Sequence, residues 1–227
     1  MQTGARRRRS RPGSSPLHLL EVPDDQIDDP NENLGHDYKE WGFNIYRTAY
    51  GGPDSDRAWE SLVEDVRTHV RLQIQGRYAN ENEEEVEAAK KLMSLFRLSV
   101  HSDAETLQGA DLDQLRQVHA ENVRTGKALS NACWALRQMF FVADGEVLTD
   151  IATGDFWIKC VQADYVASRH VGRDRSRVPQ QYFGWFKMRS NRFLELWLEL
   201  QFHRLESIAP PTIGGTHLEM WHGDDRL

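Results

Sequence analysis

Apolar residues in this sequence repeat with two periods, and the order in which the periods alternate restricts the fold more than any other feature. Between residues 40 and 50, "EWGFNIYRTAY" alternates residue by residue: Trp41, Phe43 and Ile45 share one face, and Asn44, Tyr46, Thr48 and Tyr50 the other. Helical spacing takes over in "RAWESLVEDVRTHVRLQIQ", where Trp59, Leu62, Val63, Val66, Val70 and Ile74 form one stripe behind a cap at Ser55 or Asp56. The acidic "ENEEEVEAAKKLMSLF" fits a second helix or an exposed insertion, and "SLFRLSVHSD" fits a strand. A further helix opens at Asp111, carries Leu112, Leu115 and Val118, and stops at Gly126. Three strand segments follow, "LRQMFFVADGEVL", "DFWIKCVQADYV" and "QQYFGWFKMRS". A closing helix, "RFLELWLELQFHRLE", is opened by Ser190 or Asn191 and ended by Pro210 and Pro211. This order predicts an α+β fold: a single, mostly antiparallel sheet of about five strands covered by helices.

The chain has 227 residues and a mass of 26.3 kDa, which suits one domain with tails. Seven Trp supply a core even though mean hydropathy is -0.66. Residues 1–38 hold Pro12, Pro16, Pro23 and Pro30, a basic block and then the acidic "DDQIDDPNEN", with neither period, and are expected to be disordered or loosely attached. The domain then spans 39–209, and 210–227 is a C-terminal tail. "ARRRRSRPG" fits a nuclear address or a nucleic-acid arm, or simply a solvated tail. No window approaches the roughly 18 apolar residues of a membrane span, and no signal peptide is expected. Cys133 and Cys160 form neither a disulfide framework nor a metal spacing, so they are expected to be small core residues in a reducing, cytoplasmic setting.

One residue breaks the first strand's alternation. Arg47 falls on the face of Trp41, Phe43 and Ile45, and a guanidinium placed there needs a partner or an exit from the core.

Charge is segregated along the chain. Residues 168–193 carry seven cations, Arg169, Arg173, Arg175, Arg177, Lys187, Arg189 and Arg192, against the single acid Asp174, a formal +6. Arg6 to Arg9 and Arg11 add five more; since the whole chain is -7, the remainder carries -18. Cations interleaved with Tyr182, Phe183, Trp185 and Phe186 suit a nucleic-acid groove, because phosphates need neutralising and bases can stack on aromatic faces. RNA is favoured over duplex DNA in the absence of a recognition-helix motif. The alternative is a core strand flanked by a solvated loop.

A second constellation is acidic. Asp144 and Glu146 follow "FFVA", Asp150 lies shortly beyond, and Asp164 ends "WIKCVQA". Carboxylates at neighbouring strand ends that met at one sheet edge could grip a cationic ligand, take a proton from an amine, or pair with Arg47. Asp144-Gly145 is also a hairpin-turn signal, and a purely structural turn is the favoured reading of that pair. His217 and His222 are five apart without supporting cysteines, which is not a zinc spacing. There is no GxSxG elbow, no GxGxxG and no GxxxxGK[ST] loop.

The segments "WGFNIYRTAYG", "FFVADGEVL" with "FWIKCVQADY", and "YFGWFKMR" look like those of a widespread set of small fungal proteins. Within fungal secondary metabolism the chain resembles the arginine-containing cyclodipeptide synthases over roughly residues 40 to 200. The resemblance implies an aminoacyltransferase that takes an arginyl and a second aminoacyl group from charged tRNAs and closes them into a diketopiperazine. The tRNA ester is already activated, so no cofactor is called for. Asp144, Glu146 and Asp164 are then candidates for gripping guanidinium or amine, with one acting as base; Arg47, Arg173, Arg175, Arg177, Trp185, Lys187 and Arg189 are candidates for substrate binding. Bacterial cyclodipeptide synthases have a Rossmann fold and a serine nucleophile, and this sequence shows no sign of that fold. The alternative is a non-enzymatic protein whose bipolar surface binds protein partners.

Overall fold

A computed structural model of the protein describes residues 40–79, 81–131, 134–170, 180–212 and 215–223. The predicted residues Arg173, Arg175 and Arg177, the N-terminal arginines and Cys133 lie outside these. Strand β1 is Trp41–Arg47, followed by α1 (Pro53–Tyr78), α2 (Glu83–Leu95) and β2 (Phe96–His101). Then come α3 (Ala104–Leu107), α4 (Leu112–Arg124), α5 (Trp134–Arg137), β3 (Met139–Ala143), α6 (Gly145–Ala152) and β4 (Trp157–Gln162). The chain continues with β5 (Trp185–Arg189), α7 (Phe193–Glu199), α8 (Leu205–Ile208) and β6 (Met220–Trp221).

The α+β class stands, with one six-stranded sheet in the order β2-β1-β3-β4-β5-β6. The mostly antiparallel pairing does not. β1 runs parallel to both β2 and β3, and β5 parallel to β6; only β3–β4 and β4–β5 are antiparallel. Helices explain the difference, since α1 with α2, and then α3 to α5, carry the chain back to the end it started from before the next strand begins. The segment expected as a C-terminal tail supplies the edge strand β6.

Both faces of the sheet are covered. The larger core packs Trp41, Phe43 and Ile45 of β1 against Leu62, Val66, Val70 and Ile74 of α1, with Phe193 and Trp197 of α7. The smaller core, on the other face, gathers Tyr46, Phe140, Val142 and Val161 under Leu107 and Leu115. All seven residues of β1 are therefore buried, including the polar face that alternation assigned to Asn44 and Tyr46. Asn44 earns its burial by exchanging two hydrogen bonds with the Leu129 backbone, at 3.0 and 2.8 Å. Gly42 is required by close approach: its φ is 147°, and a Cβ there would sit 1.7 Å from the Arg97 carbonyl oxygen.

Three local readings change. α1 begins at Pro53 with no side-chain cap, which leaves Ser55 and Asp56 for other partners. Asp144-Gly145 is no hairpin turn, because Asp144 caps α6 by accepting from the Val147 amide at 3.2 Å. The closing helix is interrupted, ending at Glu199 and resuming as the short α8. Asp111 caps α4 in a full capping box with Gln114, as its spacing predicted.

Candidate functional site

Arg47 is 5% exposed, so the anomaly in β1 is a buried guanidinium. Its partner is none of the acids expected. Nη2 donates to Asp56 Oδ1 at 2.5 Å and to Ser55 Oγ at 3.0 Å, Nε donates to the Ala49 carbonyl at 2.8 Å, and the plane lies 4.6 Å from the Tyr50 ring centre. The exit of β3 does lie alongside, since Arg47 is in register with Ala143. Asp144 is nonetheless committed to the start of α6 and to a lysine, and the first turn of α1 comes closer.

At this end of the sheet β4 and β5 bring two lysines face to face. Lys159 and Lys187 are directly opposite in the antiparallel ladder, an arrangement that repels unless an anion lies between. Glu146, on the first turn of α6, is that anion: Lys159 Nζ lies 3.0 Å from one carboxylate oxygen and Lys187 Nζ 2.7 Å from the other. Asp144 takes a second contact from Lys159 at 2.5 Å. The lysine side chains are only 12% and 19% exposed, against 48% for Glu146, so the acid is the member that meets solvent. Partial burial pushes the Glu146 carboxyl up, but hydrogen bonds and charge from Lys187 and Lys159 together outweigh it and hold the group below the usual carboxylate range.

Aromatic faces wall the cluster. Lys187 Nζ sits 4.3 Å from the Trp157 ring centre and Lys159 Nζ 5.0 Å from that of Trp185. His217 lies against Trp185 with ring centres 3.7 Å apart. Burial, and then the charges of Lys187 and Lys159, push its imidazole down to about 4, so it is neutral at pH 7. Its Nε2 is buried without a hydrogen-bond partner.

The structure thus unites Asp144, Glu146, Trp185 and Lys187 and adds Trp157, Lys159 and His217. Arg189, the next outward-facing cation, is paired with Asp155. Asp164 is not part of this group. It leaves β4 at the opposite end of the sheet, because β4 runs antiparallel to β3, so the three acids do not converge. There Gln162 donates to it at 2.8 Å, and it lines a cavity of about 260 Å³ with Gln138, Arg169, His170 and Glu206. A signal for the missed residues was present: "WIK" at 157–159 and "WFK" at 185–187 repeat the same Trp-x-Lys alternation in adjacent strands. His217 had no comparable signal.

Among the described residues no group of His, Cys, Asp or Glu is arranged to hold a metal ion, and no helix is long and apolar enough to cross a membrane. Cys160 is fully buried, and burial pushes its thiol well above the ordinary range, which suits a core residue. No protein-family model matches the sequence, and comparison with the curated proteins and the solved structures returns no match.

Proposed function

We propose that the protein is an aminoacyltransferase that joins an arginyl group and a second aminoacyl group, both delivered as tRNA esters, into a cyclic dipeptide, and that the cluster around Glu146 receives the cationic part of the substrate. The observation that supports this is a half-exposed carboxylate, kept ionised by two shielded lysines and walled by indoles. Such a carboxylate can accept hydrogen bonds from a guanidinium or an ammonium group on its open side. The chemistry is two aminolyses. In the first, the α-amine of one aminoacyl group attacks the ester carbonyl of the other, the bond to the ribose oxygen breaks, and the amine proton leaves as that oxygen gains one. In the second, the free amine of the dipeptidyl ester closes on its own carbonyl and releases the second tRNA. Lys159, bracketed by Asp144 and Glu146, is placed to stabilise negative charge developing on an oxygen at the cluster. Purified protein incubated with arginyl-tRNA and mixed charged tRNAs should yield a diketopiperazine mass that Glu146→Gln abolishes. Absence of any such product from soluble wild-type protein overturns the proposal.

A second reading, a non-enzymatic protein-binding module, is favoured by one observation: Lys187 and Arg189, assigned from the sequence to a phosphate groove, are already neutralised by Glu146 and Asp155. Binding to charged tRNA separates the two. The enzyme reading requires affinity that falls with salt and weakens when Arg173, Arg175 and Arg177 are changed together to Gln; the binding module requires neither.

A further inference from the structure

The pair of long helices leaves a groove on its outer side. In its middle, Ile74 and Tyr78 of α1 and Val86, Ala89 and Met93 of α2 wall an apolar cavity of about 220 Å³. Toward the end of α2 the groove meets a second cavity of about 340 Å³ beside the edge strand β2, where Arg67, Arg71 and Arg97 join Met93, Phe96 and Leu98. Arg67 and Arg71 are exposed and make no ion pair among the described residues. Toward the start of α2, next to Val86, the surface turns acidic with Glu81, Glu83, Glu84 and Glu85. The acids there crowd one another: a hydrogen bond with Glu81, then desolvation and the Glu81 charge, hold the Glu85 carboxyl above its ordinary range.

The described chain begins at the basic end of this groove, where Glu40 pairs with Arg97 at 2.8 Å. Followed backwards from Glu40, the sequence is acidic at Asp24, Asp25, Asp28, Asp29 and Glu32, apolar over "LHLLEV" at 17–22, and basic at Arg6 to Arg9 and Arg11. Followed forwards from Glu40, the groove is basic, then apolar, then acidic. In outline the two orders are complementary, with Lys90 also lining the apolar middle. We propose that the chain's own N-terminal segment occupies this groove, with Leu17, Leu19, Leu20 and Val22 over the apolar middle, the acidic run against Arg67 and Arg71, and the arginine block against the start of α2. Reach is no obstacle: the intervening residues 23–39 can span up to about 56 Å, whereas α2 is about 20 Å long. Tethering keeps the segment at high effective concentration, which favours it over a separate partner. The edge strand and the half-buried Phe96 and Leu98 are thereby covered.

Amide hydrogen exchange on the full-length protein tests this. Leu19→Asp combined with Leu20→Asp should speed exchange across residues 67–78 and 83–95 about tenfold or more, with the β3 amides unchanged as the control for folding. Arg67→Glu with Arg71→Glu should open the same residues, and adding Asp24→Lys, Asp25→Lys, Asp28→Lys and Asp29→Lys should restore protection. Unchanged exchange in the leucine variant, or no restoration by the charge swap, overturns the proposal. A wild-type dimer that dissociates on the leucine substitutions also overturns it, by assigning the groove to a second copy.

Discussion

The acids at the two ends of the sheet sit in different surroundings. Where β1 and β3 end, a set of ion pairs ties the strands to their helices: Arg47 with Asp56, Lys159 with Asp144 and Glu146, Lys187 with Glu146, and Arg189 with Asp155. At the other end Asp164, Arg169, His170, Arg204 and Glu206 line a cavity of about 260 Å³ in which His170 lies 3.0 Å from Glu206, while Arg116, donating to the Gln162 carbonyl, pairs with Asp113 at 2.6 Å. The antiparallel step from β3 to β4 creates the separation, sending Asp144 and Asp164 in opposite directions. A paired network resists rearrangement, because removing one member strands a shielded charge. An open polar cavity tolerates single losses, since water replaces them. Stability should therefore depend on the acids of the first network and be nearly indifferent to Asp164.

The largest effect expected lies between the ends, in the smaller core. His119 is 2% exposed, with Nδ1 3.1 Å from the Tyr46 hydroxyl. Burial pushes its imidazole down to about 4, against an upward pull from the Arg137 backbone, with His101 adding a further downward push. A base whose folded pKa is depressed from 6.5 loses its contribution as pH falls, because the unfolded chain takes the proton first. Stability measured by urea unfolding should drop by about 3 kcal/mol between pH 7 and pH 4 from this group, and His119→Gln should remove that part of the slope. An equal slope in the variant would assign acid sensitivity elsewhere.

Next in size, Asp56→Ala takes the carboxylate from the Arg47 guanidinium and should cost about 2 kcal/mol, discounted because Asp56 is 61% exposed. Arg47→Met should cost less, because it removes the charge together with the need for a partner. The reverse ranking would mean that the guanidinium finds another acid, Asp144 at the exit of β3 being a candidate. Glu146→Leu leaves two opposed lysines and should cost about 1–2 kcal/mol, discounted because the carboxylate is half in water. Asp164→Asn, at the open end, should fall within about 0.5 kcal/mol of wild type in the same urea titration. Comparable losses for Glu146 and Asp164 would erase the distinction between the ends.

Periodicity located β1, α1, α4 and the three later strands because each buries a face with its own repeat. The parallel pairing was hidden, since helical crossovers act on strand direction and leave no mark in the strands themselves. β6 was hidden for a different reason: two residues are too few to show a period. α6 was masked by Asp144-Gly145, whose turn chemistry also suits a helix cap. As for the site, the sequence exposed Asp144, Glu146, Trp185 and Lys187 as unusual, and the Trp-x-Lys repeat contained Lys159. The convergence of those residues depended on strand direction and register, which set Lys159 opposite Lys187. Alternation separated Asn44 and Tyr46 from Trp41, Phe43 and Ile45 but carried no sign that both faces of β1 are buried.

The proposed function assigns the substrate to the cluster around Glu146 and not to the acid at the far end. Its most direct test compares product from charged tRNAs for wild type, Glu146→Gln and Asp164→Asn, each first shown to unfold cooperatively. Diketopiperazine formation by wild type and Asp164→Asn, reduced at least a hundredfold in Glu146→Gln, is the predicted result. Full activity in Glu146→Gln with loss in Asp164→Asn would contradict it.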